Sequence, residues 1–140
     1  MGAGQTAVHL GDELGPRHRA CPSAPGIAAY VGTSDVQEQL FTDAEYARAL
    51  GFRGLVVPGP MLTAFIEQFL RDALPGWQVE RLGTTFRVPT IAGDSIVLRG
   101  AVTEHHDMAD GERIVCDVVI EHHDGERAVT GTATLRRVET

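Results

Sequence analysis

Hydrophobic positions along the chain follow two different periods, one on either side of Pro75-Gly76. Before that break, Met61, Leu62, Phe65, Ile66, Phe69, Leu70 and Leu74 recur every three to four residues after Pro58-Gly59-Pro60. That spacing gathers side chains on one broad helix face, which must be buried. Thr63, Glu67, Gln68, Arg71 and Asp72 fill the opposite side, and Pro75-Gly76 stops the helix. After the break, residues 77–89, 95–108, 113–122 and 128–138 are rich in Val, Ile, Thr and Phe and alternate with polar positions. Ala92-Gly93-Asp94, Asp110-Gly111 and Asp124-Gly125 supply turns between them. The pattern predicts four consecutive antiparallel strands. A long apolar helix followed by a meander predicts an α+β domain, in which the sheet wraps the helix so that both apolar faces are covered.

The N-terminal part is less regular. Residues 1–11 read as a frayed or strand-forming entry, and Gly and Pro interrupt any regular pattern over 12–22. Ser23-Ala24-Pro25 is a helix start with a Ser cap and Pro in the first turn, continued by Ile27 to Val31 and ended by Gly32. A second short helix fits 42–50, capped by Thr42 or Asp43 and stopped by Gly51. Between the two helices runs the polar segment 33–41. No internal repeat or second domain is visible.

Length and charge narrow the function. A chain of 140 residues is one domain in size, and 43% hydrophobic with 22% charged residues sets aside disordered and fibrous classes. Nineteen acidic against twelve basic residues give a net charge of -7, which repels a nucleic-acid backbone or an anionic bilayer. Every basic residue is Arg, so Schiff-base chemistry on a lysine, and with it pyridoxal phosphate attachment, is excluded. Cys21 and Cys116 lack disulfide or zinc-site spacing and read as buried reduced thiols. No apolar run is long enough for a membrane span and the N-terminus lacks a signal peptide's apolar core, which predicts a cytoplasmic protein.

The stretch Asp43-Ala44-Glu45-Tyr46-Ala47-Arg48-Ala49-Leu50-Gly51-Phe52-Arg53-Gly54-Leu55-Val56-Val57-Pro58-Gly59-Pro60-Met61-Leu62-Thr63 resembles the core of MaoC-like (R)-specific enoyl-CoA hydratases and 3-hydroxyacyl dehydratases. The likeness extends more loosely over about residues 10 to 138, through the preceding Tyr-containing helix and the Gly93-Asp94 step. It implies one hot-dog domain over residues 1–140: a curved antiparallel sheet wrapped around one long central helix. It also implies a homodimer or a hetero-oligomer with another hot-dog chain, acyl thioesters of coenzyme A or acyl carrier protein as substrates, and no cofactor.

In that family an Asp, an Asn two positions on and a His five positions after the Asp precede the segment matching Asp43 to Ala47. Asp35 matches the Asp, and Gln37 stands at the Asn. The His position falls on Leu40 or Phe41, and neither side chain transfers a proton. A second family His, just before the helix-opening Gly, is Pro58 here. The resemblance therefore assigns Asp35 as the lone acid or base, and Gln37, Leu40, Phe41, Pro58, Gly59 and Met61 to substrate binding. Backbone N–H groups around Gly59 and Met61 would meet a thioester carbonyl at the positive end of the helix. The bland alternatives are a loop or cap carboxylate for Asp35 and ordinary helix-start chemistry for Pro58-Gly59.

Three function classes follow: an acyl-thioester hydratase or dehydratase relative, with chemistry such as cyclisation open to it; a non-catalytic subunit that shapes a partner dehydratase's acyl tunnel; and a thioesterase using Glu67, whose polar neighbours favour a solvated or dimer-facing position. The string Glu-His-His-Asp, at 104–107 and again at 121–124, holds natural metal ligands. Adjacent strand residues face opposite ways, and the hairpin turns place the two His pairs on the order of 20 Å apart, so no metal site is predicted.

Overall fold

The computed structural model describes residues 7–32 and 39–138. Five described strands form one antiparallel sheet in the order β1 (Glu13–Ala20), β3 (Ser95–Met108), β4 (Gly111–His122), β5 (Arg127–Arg137) and β2 (Trp77–Phe86). The remaining elements are α1 (Ala24–Gly32), a 3₁₀ turn (Gln39–Phe41), α2 (Ala44–Ala49) and α3 (Gly59–Ala73). The architecture is the α+β fold the pattern predicts, and none of the described helices is long and apolar enough to cross a membrane.

Alternation in β4 shows why the sheet covers the helix. Ile114, Cys116 and Ile120 have no exposed surface and lie opposite Leu135, Ala133 and Val129 of β5, which are equally buried. These six residues pack in one cluster with Met61, Leu62, Ile66, Phe69 and Leu70 of α3. Burial of each large aliphatic side chain contributes about 1.5–3 kcal/mol. Phe65, at the margin of the helix face, is only half-buried and is covered instead by Arg19 of β1, 3.7 Å from its ring centre. Arg17, one turn of the pleat away, bonds Asp72 of the same helix at 2.8 Å.

Two sequence expectations need correction. Residues 12–22 hold a full edge strand, β1, because a bulge between Leu14 and Arg17 absorbs the Gly-Pro interruption. Gly15 sits there at φ +81°, and a Cβ would lie 2.6 Å from the Leu98 carbonyl oxygen and 3.2 Å from the Phe69 ring. The C-terminal strands are also not a simple meander. β2 pairs with β5 at the far edge, and the connection 87–94 carries the chain back to β3 in mid-sheet. Alternation reveals that a segment is a strand but not which neighbour it finds.

That connection builds the surroundings of the α3 start. Val57 N–H donates to the Thr90 carbonyl at 2.8 Å, Ala92 N–H to Leu55 at 2.8 Å and Val56 N–H to Leu40 at 3.0 Å. The segment preceding α3 is thereby held between the 3₁₀ turn and the 87–94 connection. Asp94 closes the connection by accepting Ile91 N–H at 3.0 Å and the Arg53 guanidinium at 2.9 Å.

Candidate functional site

The first turn of α3 has no side-chain cap: Pro58 stands at the N-cap position with φ −59° and ψ 137°. Pro60 fits the first turn because its missing N–H would have no partner there in any case. Met61 N–H donates to the Pro58 carbonyl at 3.0 Å and Leu62 N–H to the same oxygen at 3.3 Å. Of the two donors expected from the sequence, Met61 is therefore already engaged, whereas no described group accepts the Gly59 N–H. This N–H and the helix dipole favour negative charge at this point. Gly59 is also a close-approach residue, since a Cβ would lie 2.8 Å from the tip of the Phe86 ring.

Gly59 opens onto a cavity of about 370 Å³. Leu40, Phe41, Phe52, Leu62, Phe86 and Val88 give it an apolar wall, and Thr90 and Arg87 are the polar residues on it. Leu40 and Phe41 thus face the same space as Gly59. Pro58 and Met61 flank Gly59 but do not line the cavity; both are buried. Asp35 and Gln37 lie outside the described residues. Phe86, half exposed at the rim, and Phe52 were not singled out from the sequence. Each sits within an apparently ordinary strand or turn, and only the fold brings it to Gly59.

A second depression, of about 480 Å³, lies beside the cavity and shares Phe52, Val88 and Pro89 with it. Its wall is polar: Arg53, Asp94, His122, His123, Asp124 and Glu126. His122 is only 11% exposed and is bonded at both ring nitrogens, Nε2 to Thr90 Oγ1 at 3.1 Å and Nδ1 to Glu126 Oε1 at 3.3 Å. Burial works to raise the Asp94 pKa, but the hydrogen bonds from Arg53 and Ile91 N–H, with the charges of Arg53 and His122, hold its carboxyl below the ordinary value. Burial pushes the Cys21 and Cys116 thiols up to about 11, with Asp94 adding to the effect at Cys21 and Asp117 at Cys116. Both thiols are free.

The two Glu-His-His-Asp strings lie at opposite ends of β4, since His106 pairs with Arg113 and Ile96 pairs with His122. Nine residues of strand put them about 30 Å apart. The expectation drawn from alternation missed one point. At each end a His, the Asp two residues on and a Glu from across the hairpin or turn come together: His105, Asp107 and Glu112, and His122, Asp124 and Glu126, with potential ligand atoms within 4.8 Å of one another. In the second group a cation would have to displace Thr90 or Glu126 from the His122 ring. Glu67 does not line the cavity; it is half exposed and paired with Arg71 at 3.2 Å. A larger depression, of about 530 Å³, lies far from the start of α3 at the β3–β4 hairpin.

Together, the sheet order and the central helix define a hot-dog fold. No family model matches the sequence. The fold is that of MaoC-like dehydratases and (R)-hydratases. The chain superposes on the (R)-hydratase from A. caviae involved in PHA biosynthesis with a TM-score of 0.83 and 22% identity, covering 94% of this chain and 98% of that one. For the MaoC-like dehydratase from Rhodospirillum rubrum the TM-score is 0.80, with 22% identity and 95% of each chain covered. For a chain of the HadBC (3R-hydroxyacyl-ACP dehydratase) complex from Mycobacterium tuberculosis it is 0.74, with 20% identity and 94% and 98% covered. In sequence, 121 residues are 36% identical to a shikimate dehydrogenase (NADP(+)) from Natronomonas pharaonis; they make up 86% of this chain but only 39% of the dehydrogenase. The sheet here is antiparallel, and the described residues contain no βαβ unit of the kind that binds dinucleotides.

Proposed function

We propose that the chain, as one hot-dog domain over residues 1–140, acts on an acyl thioester of coenzyme A or acyl carrier protein as a hydratase or dehydratase relative. The observation that carries this reading is the apolar cavity opening at the Gly59 N–H of α3, which no described group accepts. An acyl chain fits the wall formed by Leu40, Phe41, Phe52 and Phe86. The thioester carbonyl accepts from Gly59 N–H, and the helix N-terminus stabilises negative charge that develops on it. Asp35 supplies a carboxylate for proton transfer. The wall does not suit a polyhydroxylated acid such as shikimate, whose hydroxyls would be desolvated without partners.

A second reading has a specific observation behind it: the sequence position of the family's imidazole falls on Leu40 or Phe41, and both face the cavity. A partner hot-dog chain would then supply the acid/base pair while this chain shapes the acyl tunnel. HadBC is itself a complex. The two readings separate in hydration of trans-2-enoyl-CoA thioesters of four to twelve carbons by the purified chain, followed as loss of enoyl absorbance with Asp35→Asn as control. The enzyme reading expects turnover that Asp35→Asn abolishes, and a Val88→Trp variant that loses the longer substrates first. Absence of turnover at every chain length would overturn it in favour of the partner-dependent subunit.

A further inference from the structure

The wall between the apolar cavity and the polar depression is crossed by a continuous set of hydrogen bonds. Thr90 lines the cavity, His122 and Glu126 line the depression, and the three are joined at 3.1 Å and 3.3 Å. Thr90 is 1% exposed and His122 11%, whereas Glu126 reaches solvent at 54%. The carboxylate of Glu126 accepts only, so it takes the proton of His122 Nδ1; Nε2 is then the acceptor of the Thr90 hydroxyl. Asp94, His123 and Asp124 line the same depression around the imidazole. A hydroxyl, an imidazole and a carboxylate in this order link the wall of the apolar cavity to a solvent-exposed group.

We propose that Thr90–His122–Glu126 is the proton relay of the acyl cavity, taking the place of the imidazole that Leu40 and Phe41 leave absent. The proposal rests on the hydratase reading above. As water adds to an enoyl thioester, the water oxygen forms its bond to Cβ and an O–H bond of the water breaks. Its proton passes to Thr90 Oγ1, whose own proton moves to His122 Nε2. The electron pair of the C=C bond shifts toward Cα and the thioester carbonyl at Gly59 N–H. The proton returns by the same path to Cα, so one water is consumed and each residue ends as it began. Thr90 is the group that touches the reacting water; His122 and Glu126 act through it, Glu126 by fixing the ring's tautomer.

The relay predicts a loss in kcat without a matching change in KM. Thr90→Val keeps the shape of the side chain and removes the hydroxyl, and should lower kcat for enoyl-CoA hydration roughly 100-fold or more. Thr90→Ser, which restores the hydroxyl, should recover most of it. His122→Gln can still bond Thr90 but transfers no proton, and should fall as far as Thr90→Val; combining the two should cost little more, because they interrupt one path. Melting temperatures of all the variants separate this effect from loss of fold. Hydration that survives Thr90→Val and His122→Gln at near-normal kcat overturns the relay and leaves the hydratase reading standing. No hydration by the unmodified chain overturns both.

Discussion

The same four residues, Glu-His-His-Asp, meet different fates at the two ends of β4. At the β3–β4 hairpin, His105 is 36% exposed and pairs with Glu112, and His106 is 52% exposed and pairs with Glu104. Both stand in solvent. At the opposite end His122 is 11% exposed and holds the hydroxyl of a residue that is itself buried. Nothing within either string produces this difference. It arises because the connection 87–94 crosses the second end and places Thr90 against the ring, while the hairpin end meets only its own turn and charged side chains of β2 and β5, Glu80 with Arg113 and Arg137 with Glu112.

The apolar core treats both ends alike, and the largest expected effects test that. Ile114 lies beneath the hairpin end and Ile120 beneath the cavity end, each fully buried. Ile114→Ala and Ile120→Ala should each destabilise by about 2–5 kcal/mol through lost transfer energy and the void left behind. Chemical denaturation of the two variants measures this. A large gap between them would mean that packing, rather than polar context, distinguishes the ends.

Next in size is a contrast between equivalent histidines. His122→Ala leaves the buried Thr90 hydroxyl without its partner and should cost about 1–3 kcal/mol. His105→Ala breaks an exposed pair and should cost about 0.5 kcal/mol or less. Thermal melts of the two variants side by side give the comparison, and equal losses would remove the distinction between the ends.

What the sequence revealed about these ends follows the reach of each signal. The helix face from Met61 to Leu74, the strand character of the C-terminal half and the Asp43 cap of α2, whose side chain accepts Tyr46 N–H at 3.1 Å, are all local patterns. So are the turns after Met108 and His122. The pairing of β2 with β5 and the edge strand β1 were not legible, since both depend on partners far along the chain. The site divides in the same way. The Gly59 turn and the positions of Leu40 and Phe41 stand out because a contiguous motif carries them. Thr90 and His122 are 32 residues apart, and the His-His repeat drew attention to metal ligation instead. A buried Thr in a Val-Pro-Thr-Ile run gives no chemical signal until its neighbour is known.

A smaller effect tests the charge that faces His122. Asp94→Asn keeps an acceptor for Ile91 N–H but removes the ion pair with Arg53. Because Arg53 is 70% exposed, solvent screening limits the loss at neutral pH to roughly 0.5–1 kcal/mol. The pH dependence has a definite sign. The folded-state pKa of Asp94 lies below its ordinary 3.8, so the ionised carboxylate stabilises the folded chain above that value. This contribution is lost as pH falls through the lowered pKa. The melting-temperature deficit of Asp94→Asn should therefore be present at neutral pH and shrink toward pH 3. A deficit that grows on acidification would show that the carboxyl is protonated more readily in the folded state than in the unfolded one.

The smallest effect belongs to the hairpin end. His106 and Glu104 are each more than half exposed, and the 2.9 Å bond between them joins residues two apart on one strand. Their attraction acts through water, and fixing two mobile side chains offsets most of it. His106→Ala should change stability by no more than about 0.5 kcal/mol. The informative variant is the complete replacement of Glu104-His105-His106-Asp107 by Thr at each position, which preserves strand propensity while deleting every ligand-type side chain of the string and leaving Glu112 alone of the hairpin group. If the cavity end alone carries chemistry, this variant should melt within a few degrees of the parent and hydrate enoyl-CoA at the parent rate. A loss of turnover with the fold intact would place a functional group at the hairpin and reverse the assignment of the two ends.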